Sequence, residues 1–341
     1  MDGSRNAMSP PLTKYRVCLG YMITNTIPAA QPDLRCGVQI VIYFCTGDKP
    51  NAPRKGSSLK GTAILKRILG LVGSSRRLGN SELFIKEISR HLPDEHVLSL
   101  IRLPALDIRP CQACYSCIMG EPCAITDHME FLRDQILKSD GLIIAAPVYF
   151  AGAHSIIKRI LDRGFLFYSD AKQNAHKPCI LVNLHGIEEK IGVAPQALRS
   201  LAAVLCLDVK ASVNLRAALP GEVLADPANI ALAGQLGHLL FSTRSEKSLD
   251  GCPFCGCAIV RMRNGEFVCT LCYGCFTLDA KARPVKGTAR WEIGTVQFIH
   301  EHSAWLRGMR DKYMENRKAL LRLSLPYKDI GTWVEPPKIS D

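Results

Sequence analysis

From residue 66 to residue 240, short apolar runs alternate with segments of helical spacing. The run Arg67-Ile68-Leu69-Gly70-Leu71-Val72-Gly73 reads as a strand, and a loop of Gly, Ser and Arg follows it. Residues 81–92 then place Leu83, Phe84, Glu87 and Ile88 at helical spacing. The same reading expects strands over 97–103, 141–147, 179–184 and 209–215, and helices over 127–139, 152–163, 195–207 and 227–240. Strands that are apolar throughout and separated by helices belong to a parallel sheet covered on both faces. The expected class is α/β with a doubly wound sheet. Ligands of such sheets sit at the carboxyl ends of the strands, where the strand order reverses.

The flanks break this rhythm. Residues 1–60 are rich in loop chemistry, with Pro10-Pro11, Gln31-Pro32 and Pro53-Arg54-Lys55-Gly56. A poorly ordered extension is expected there, with one strand-like run over 38–44. Residues 66–245 are the expected α/β domain and 250–279 a small cysteine-rich module. Residues 285–341 are expected to form a long amphipathic helix, over 288–323, and a tail packed through Trp333.

The chain has 341 residues and a formal charge of +12. Residues 1–60 and 281–341 each carry five net positive charges, and residues 61–280 carry two. A basic nucleic-acid groove on the central domain is therefore not expected, although basic flanks leave a nucleic-acid-binding redox sensor as an alternative. The longest apolar run, 201–207, is far short of the roughly 20 residues a membrane helix needs. No membrane association is expected.

Fifteen cysteines are present, four of them within 111–123 and six within 252–275. Tight clusters in a chain of this length read as metal sites rather than as a disulfide framework. No convincing signal peptide precedes them, and the expectation is a reducing cytoplasm.

The loop Gly73-Ser74-Ser75-Arg76-Arg77-Leu78-Gly79-Asn80-Ser81 joins a strand to a helix. Glycines let the backbone approach an anion, Ser74, Asn80 and Ser81 offer donors, and Arg76 offers charge. The helix N-terminus adds free N–H groups. The plain alternative is a polar turn capped by Asn80 or Ser81. Two further loops come after strands: Pro147-Val148-Tyr149-Phe150-Ala151-Gly152 and Asn183-Leu184-His185-Gly186. Together with Ile157-Lys158-Arg159 and Asp162-Arg163, these loops resemble the flavodoxin-like NAD(P)H-dependent FMN reductase family over residues 66–245. The resemblance implies FMN, with its phosphate on Ser74, Arg76, Asn80 and Ser81. It places the isoalloxazine beside Pro147, Val148, Tyr149 and Phe150, and makes NAD(P)H a candidate substrate. The third loop has less glycine than the family usually shows.

Cys111-x2-Cys114-x2-Cys117-x5-Cys123 lets a short loop wrap one face of a cubane, with a fourth thiolate closing it. With Arg109-Pro110 before it and Thr126-Asp127-His128 after it, the motif is similar to the iron–sulfur flavoprotein branch of the same family. A [4Fe–4S] cluster is the favoured reading. A zinc site and an unmetallated thiol group, either of which leaves a plain NAD(P)H:FMN reductase, are the alternatives. The branch also implies a homo-oligomer and an electron-carrier protein or NAD(P)H as partner.

Cys252-x2-Cys255 and Cys269-x2-Cys272 are two knuckles separated by a hairpin turning at Asn264-Gly265. This pattern specifies one tetrahedral metal, in a zinc-ribbon or rubredoxin-like module, with zinc favoured over iron. Cys257 and Cys275 are expected to be non-ligand thiols. Cys179 and Cys206 are expected in the core. His185, His128, His300 and His302 are expected at the surface. The physiological substrate and electron donor are not named by any motif.

Overall fold

The computed structural model of the chain describes residues 65–188, 190–243, 251–288, 292–328 and 330. The expected N-terminal extension over 1–60, its three cysteines, the strand-like run at 38–44 and Trp333 lie outside the described residues. All the described residues belong to one unit, Lys60–Asp341.

The first part of that unit alternates as its hydrophobic pattern requires. Strand β1 (Lys66–Val72) leads to α1 (Asn80–Arg90), β2 (His96–Arg102), α2 (Met129–Lys138) and β3 (Gly141–Tyr149). A two-residue strand β4 (Gly152–Ala153), α3 (Ser155–Asp162) and a short α4 (Ala171–Asn174) come next. Then come β5 (Pro178–His185), α5 (Ala194–Val204), β6 (Asp208–Arg216) and α6 (Pro227–Leu240). The strand order is β2-β1-β3-β5-β6, with all these pairs parallel. This is a doubly wound sheet of flavodoxin type, with its order reversing between β1 and β3.

Alternation within the strands builds two apolar layers. Leu142, Ile144 and Leu181 point to the face covered by α2, α3 and α5, through Leu132, Ile136, Ile157 and Leu198. Ile143, Ile180 and Val182 point to the face covered by α1 and α6, through Phe84, Ile88 and Leu236. Burying both faces is what makes these strands read as unbroken apolar runs.

The helix expected over 152–163 starts later, at Ser155. Gly152 and Ala153 instead fold back on Tyr149 and Val148 as an antiparallel pair. The C-terminal helix α7 (Val296–Ser324) also starts later than the spacing suggests, because the Thr295 hydroxyl caps it by accepting from the Phe298 N–H at 3.1 Å. Between these parts, β7 (Val260–Arg263), β8 (Glu266–Cys269), β9 (Cys275–Leu278) and β10 (Pro284–Lys286) form a second sheet, antiparallel throughout. The last two strands carry no apolar alternation long enough to announce them. Among the described residues, no helix is long and apolar enough to cross a membrane.

Candidate flavin edge and two cysteine centres

The loops after β1, β3, β5 and β6 emerge at one edge, because the strands are parallel. Gly73 opens the first loop, its N–H donating to the Ala145 carbonyl at 2.7 Å. A Cβ at Gly73 would lie 2.7 Å from that of Ala146, so only glycine lets the loop leave this close to β3. The loop ends at Gly79, an extended N-cap without a side-chain cap bond, so the first N–H groups of α1 have no partner within the helix. Arg76 and Arg77 are exposed beside them, while Ser74 and Ser81 are buried.

Two side chains hold this loop from outside. Arg102, at the end of β2, donates to the carbonyls of Arg76 at 2.6 Å and Ser74 at 3.1 Å. Its other nitrogen reaches Glu82 of α1 at 2.7 Å. Asn80 spends its carboxamide on the loop after β6, donating to the Ala217 and Leu219 carbonyls at 3.0 and 2.9 Å. Its oxygen accepts from the Val223 N–H at 3.4 Å. What Asn80 retains for an anion is its main-chain N–H.

The β3–β4 turn is unusual for its residues. Phe150 and Ala151 both have left-handed backbones, at φ 48° and 60°, in a two-residue hairpin where glycine or asparagine is the common choice. The Phe150 ring is wholly exposed and the Tyr149 ring half exposed, while Pro147 and Val148 are half buried. An apolar platform with open backbone thus stands beside the β1–α1 loop. His185 is not at the surface as expected: it is buried, and its Nδ1 is 2.8 Å from the Ile187 carbonyl.

The first cysteine group lies on the loop after β2. Its two ends are stitched together. The Asp107 N–H donates to His128 Nδ1 at 2.8 Å, and the Arg109 N–H donates to Asp127 Oδ2 at 2.9 Å. Left-handed backbones at Ala113, Tyr115 and Gly120 coil the loop between them. Cys111, Cys114, Cys117 and Cys123 all line one cavity of about 280 Å³, together with Arg163 and Phe165. Cys111 and Cys114 are exposed, and Cys117 and Cys123 are half buried. Hydrogen bonds from the Ser116 N–H and hydroxyl bring the Cys114 thiol below its ordinary pKa. Burial, and then the neighbouring thiols, push that of Cys117 up.

The second group is of a different size. The sulfurs of Cys252, Cys255, Cys269 and Cys272 all lie within 4.8 Å of one another, and three of the four residues are fully buried. Cys252 and Cys272 are 3.5 Å apart, Cys255 and Cys269 3.6 Å. A tetrahedral ion with metal–sulfur bonds of about 2.3 Å needs sulfurs about 3.8 Å apart, so the group fits a single ion. Cys257 and Cys275 stay outside the second group, pointing to the carbonyls of Ile259 at 3.6 Å and Tyr273 at 3.9 Å.

Residues 66–218 match the NADPH-dependent FMN reductase family. An iron–sulfur flavoprotein of Methanocaldococcus jannaschii is 30% identical over 98 residues, 28% of this chain and 51% of that protein. One of Archaeoglobus fulgidus is 25% identical over 179 residues, 50% of this chain and 77% of that protein. The chain spans about half the length of the first curated relatives it matches. A solved flavone reductase, 18% identical, superposes with a TM-score of 0.61 over 79% of this chain and all of that one. That likeness extends the shared fold beyond the FMN reductase segment.

The remaining histidine of interest lies on α7. His302, expected at the surface, is half buried, with Nδ1 2.7 Å from the Tyr168 hydroxyl and its ring stacked between Phe298 and Trp305. Cys179 and Cys206 are buried as expected.

Proposed function

We propose that this protein is an FMN- and [4Fe–4S]-containing redox flavoprotein, exchanging electrons with NAD(P)H or an electron-carrier protein. The observation that carries this reading is that Cys111, Cys114, Cys117 and Cys123 line one cavity, on a loop that follows a strand of the same parallel sheet as the β1 and β3 loops. FMN supplies one- and two-electron chemistry and the cluster one-electron chemistry, so a chain holding both couples single-electron carriers to two-electron substrates.

The protein's share is binding and orientation. The main-chain N–H groups at Asn80 and Ser81, with Ser74 and Arg76, hold the phosphate at the start of α1. Pro147, Val148, Tyr149 and Phe150 offer the flat surface for the ring system. Cys111, Cys114, Cys117 and Cys123 hold the cluster. Cys252, Cys255, Cys269 and Cys272 hold zinc in a structural role, because a segment this short has too little apolar core to fold alone. A reducing compartment, the cytoplasm, suits a chain whose clustered cysteines serve as metal thiolates. The reading includes a homo-oligomer, consistent with the bare Phe150 ring and the exposed Trp305, Met309 and Tyr313 on α7.

Cofactor content after anaerobic purification tests this. About four iron and four sulfide, one FMN and one zinc per chain are expected. FMN and zinc without sulfide, even after cluster reconstitution, would leave a plain flavin reductase. Absence of flavin would overturn the enzyme reading altogether.

A further inference from the structure

Four arginines reach the loop that carries Cys111 to Cys123, and three of them touch only oxygens. Arg159 donates to the Ile108 carbonyl at 3.4 Å, and Arg307 of α7 to the Ile118 carbonyl at 3.3 Å. Arg109 pairs with Asp107 at 3.3 Å in solvent. Arg163 differs. It sits just after α3, is 3% exposed, and directs one guanidinium nitrogen at Cys123 Sγ, 3.3 Å away.

The guanidinium is also held by oxygens: the nitrogen aimed at the sulfur lies 3.4 Å from Asp127 Oδ1. Its other terminal nitrogen donates to Asp127 Oδ2 at 2.6 Å and to the Arg109 carbonyl at 3.1 Å. Asp127 in turn accepts from the N–H groups of Arg109 and Met129, at 2.9 and 3.0 Å. The carboxylate is therefore held by the loop itself, and it fixes the plane of the guanidinium. A planar fork presents separate nitrogens to a carboxylate and a sulfur in a fixed geometry, whereas an ammonium has a single nitrogen on a flexible stem. Both partners are almost completely buried, their side chains 2% and 1% exposed. The guanidinium is thus shielded from water, where a charged donor acts most strongly, and it meets Cys123 at the half-buried side of the cavity.

We propose that Arg163 sets the reduction potential of the 111–123 cluster by donating a charged hydrogen bond to the Cys123 sulfur. This rests on the cluster reading above. Reduction adds one electron to the cluster and moves no proton. It raises the negative charge on the ligand sulfurs, so a cationic donor at one of them stabilises the reduced form more than the oxidised form. The effect is one-sided: Cys111 and Cys114 face solvent, and the charge is delivered to the buried side through Cys123. Arg163 is a positioning residue that acts on the cluster through its ligand.

The test is a potentiometric titration of the whole reconstituted protein with dithionite, monitored by electron paramagnetic resonance, with iron and sulfide counted in each sample. Arg163→Lys keeps a charge for Asp127 but withdraws the donor from the sulfur. It should make the one-electron equilibrium constant about tenfold less favourable, a fall of about 60 mV. Because that variant strains a buried pair, Arg163→Met combined with Asp127→Asn removes both charges together. It should lower the potential as well, since the sulfur again loses its donor. Arg307→Gln, which loses only a carbonyl contact, should leave the potential in place. A loaded parent whose potential is unmoved in both Arg163 variants would overturn this proposal alone. So would loss of the cluster from both, which would make Arg163 a clamp and nothing more. A parent that takes up no sulfide would overturn the cluster reading and this proposal with it.

Discussion

Arg102 and Glu82 meet at 2.7 Å beside the first turn of α1, next to the helix N-terminus proposed to hold a phosphate. A carboxylate there opposes an anion unless it is neutralised. Glu82 is neutralised twice, by Arg102 and by Lys86 at 2.6 Å, and it also accepts from the Leu78 N–H at 2.9 Å. It is therefore part of the loop's scaffold: it fixes Leu78 and holds Arg102, which in turn fixes two carbonyls of the loop.

This pair makes stability depend on pH. Burial pushes the Glu82 carboxyl up, but the hydrogen bonds from Lys86, Arg102 and Leu78 outweigh it and bring the group to about 2. Its ordinary value is 4.5, so the folded form is the stronger acid. The stability it contributes is present above pH 4.5 and is lost as the pH falls towards 2. That contribution is on the order of 1–3 kcal/mol. Denaturant unfolding from pH 7 to 3 should show a shallower acid loss in Glu82→Gln than in the parent. Parallel curves would remove Glu82 from this role.

Asn80→Ala tests a different kind of support. The Asn80 carboxamide bridges two loops, with partners at Ala217, Leu219 and Val223. Its loss should weaken FMN binding about tenfold, the cost of one or two hydrogen bonds. It should also speed amide exchange over 217–223 in the flavin-free protein. Weakened binding with unchanged exchange would make Asn80 a direct phosphate ligand instead.

Much of this frame was legible in the sequence, for a physical reason. Strands buried on both faces must be apolar at every position, so β1, β3 and β5 stand out against their helices. The knuckles at 252–272 were legible because metal geometry fixes the spacing of their ligands. The supports were not. Arg102 lies 20 positions from Glu82, Arg163 lies 40 from Cys123, and Asn80 lies 137 from Ala217. No local pattern links such pairs; only the parallel crossovers bring them together. Asn80 shows the consequence: its type and place suggested a phosphate donor, yet its side chain is spent on a neighbouring loop. His302 shows another, since a histidine on an amphipathic helix reads as exposed until Tyr168 and Phe298 are found against it.

Cys117→Ser separates the two cysteine centres. Cys117 is half buried and packs against the main core beneath the cluster loop. The substitution should remove cluster iron and sulfide while leaving one FMN and one ribbon metal per chain. Loss of all three together would mean that the α/β domain folds only around its cluster.

The last prediction concerns which thiols hold the ribbon's metal. Cys269 is fully buried at the end of β8 and accepts from the N–H groups of Leu271 and Cys272, at 3.3 and 3.5 Å. Such N–H contacts favour a thiolate. Cys257 is equally buried, but it directs its S–H at the Ile259 carbonyl, 3.6 Å away, and a thiol that donates must keep its proton. Metal ligation requires the opposite state. Cys269→Ser should therefore lose the metal, and with it the protection of 251–288 from proteolysis. Cys257→Ala should keep a full equivalent and lose only the packing of one small thiol. The ribbon rests on the larger domain through Arg199 of α5, which donates to the Cys255 carbonyl at 3.1 Å. A metal-free ribbon should thus come away while the parallel sheet stays folded, seen as two separate transitions on heating with chelator. Retention of the metal in Cys269→Ser together with its loss in Cys257→Ala would place the centre on a different set of four sulfurs.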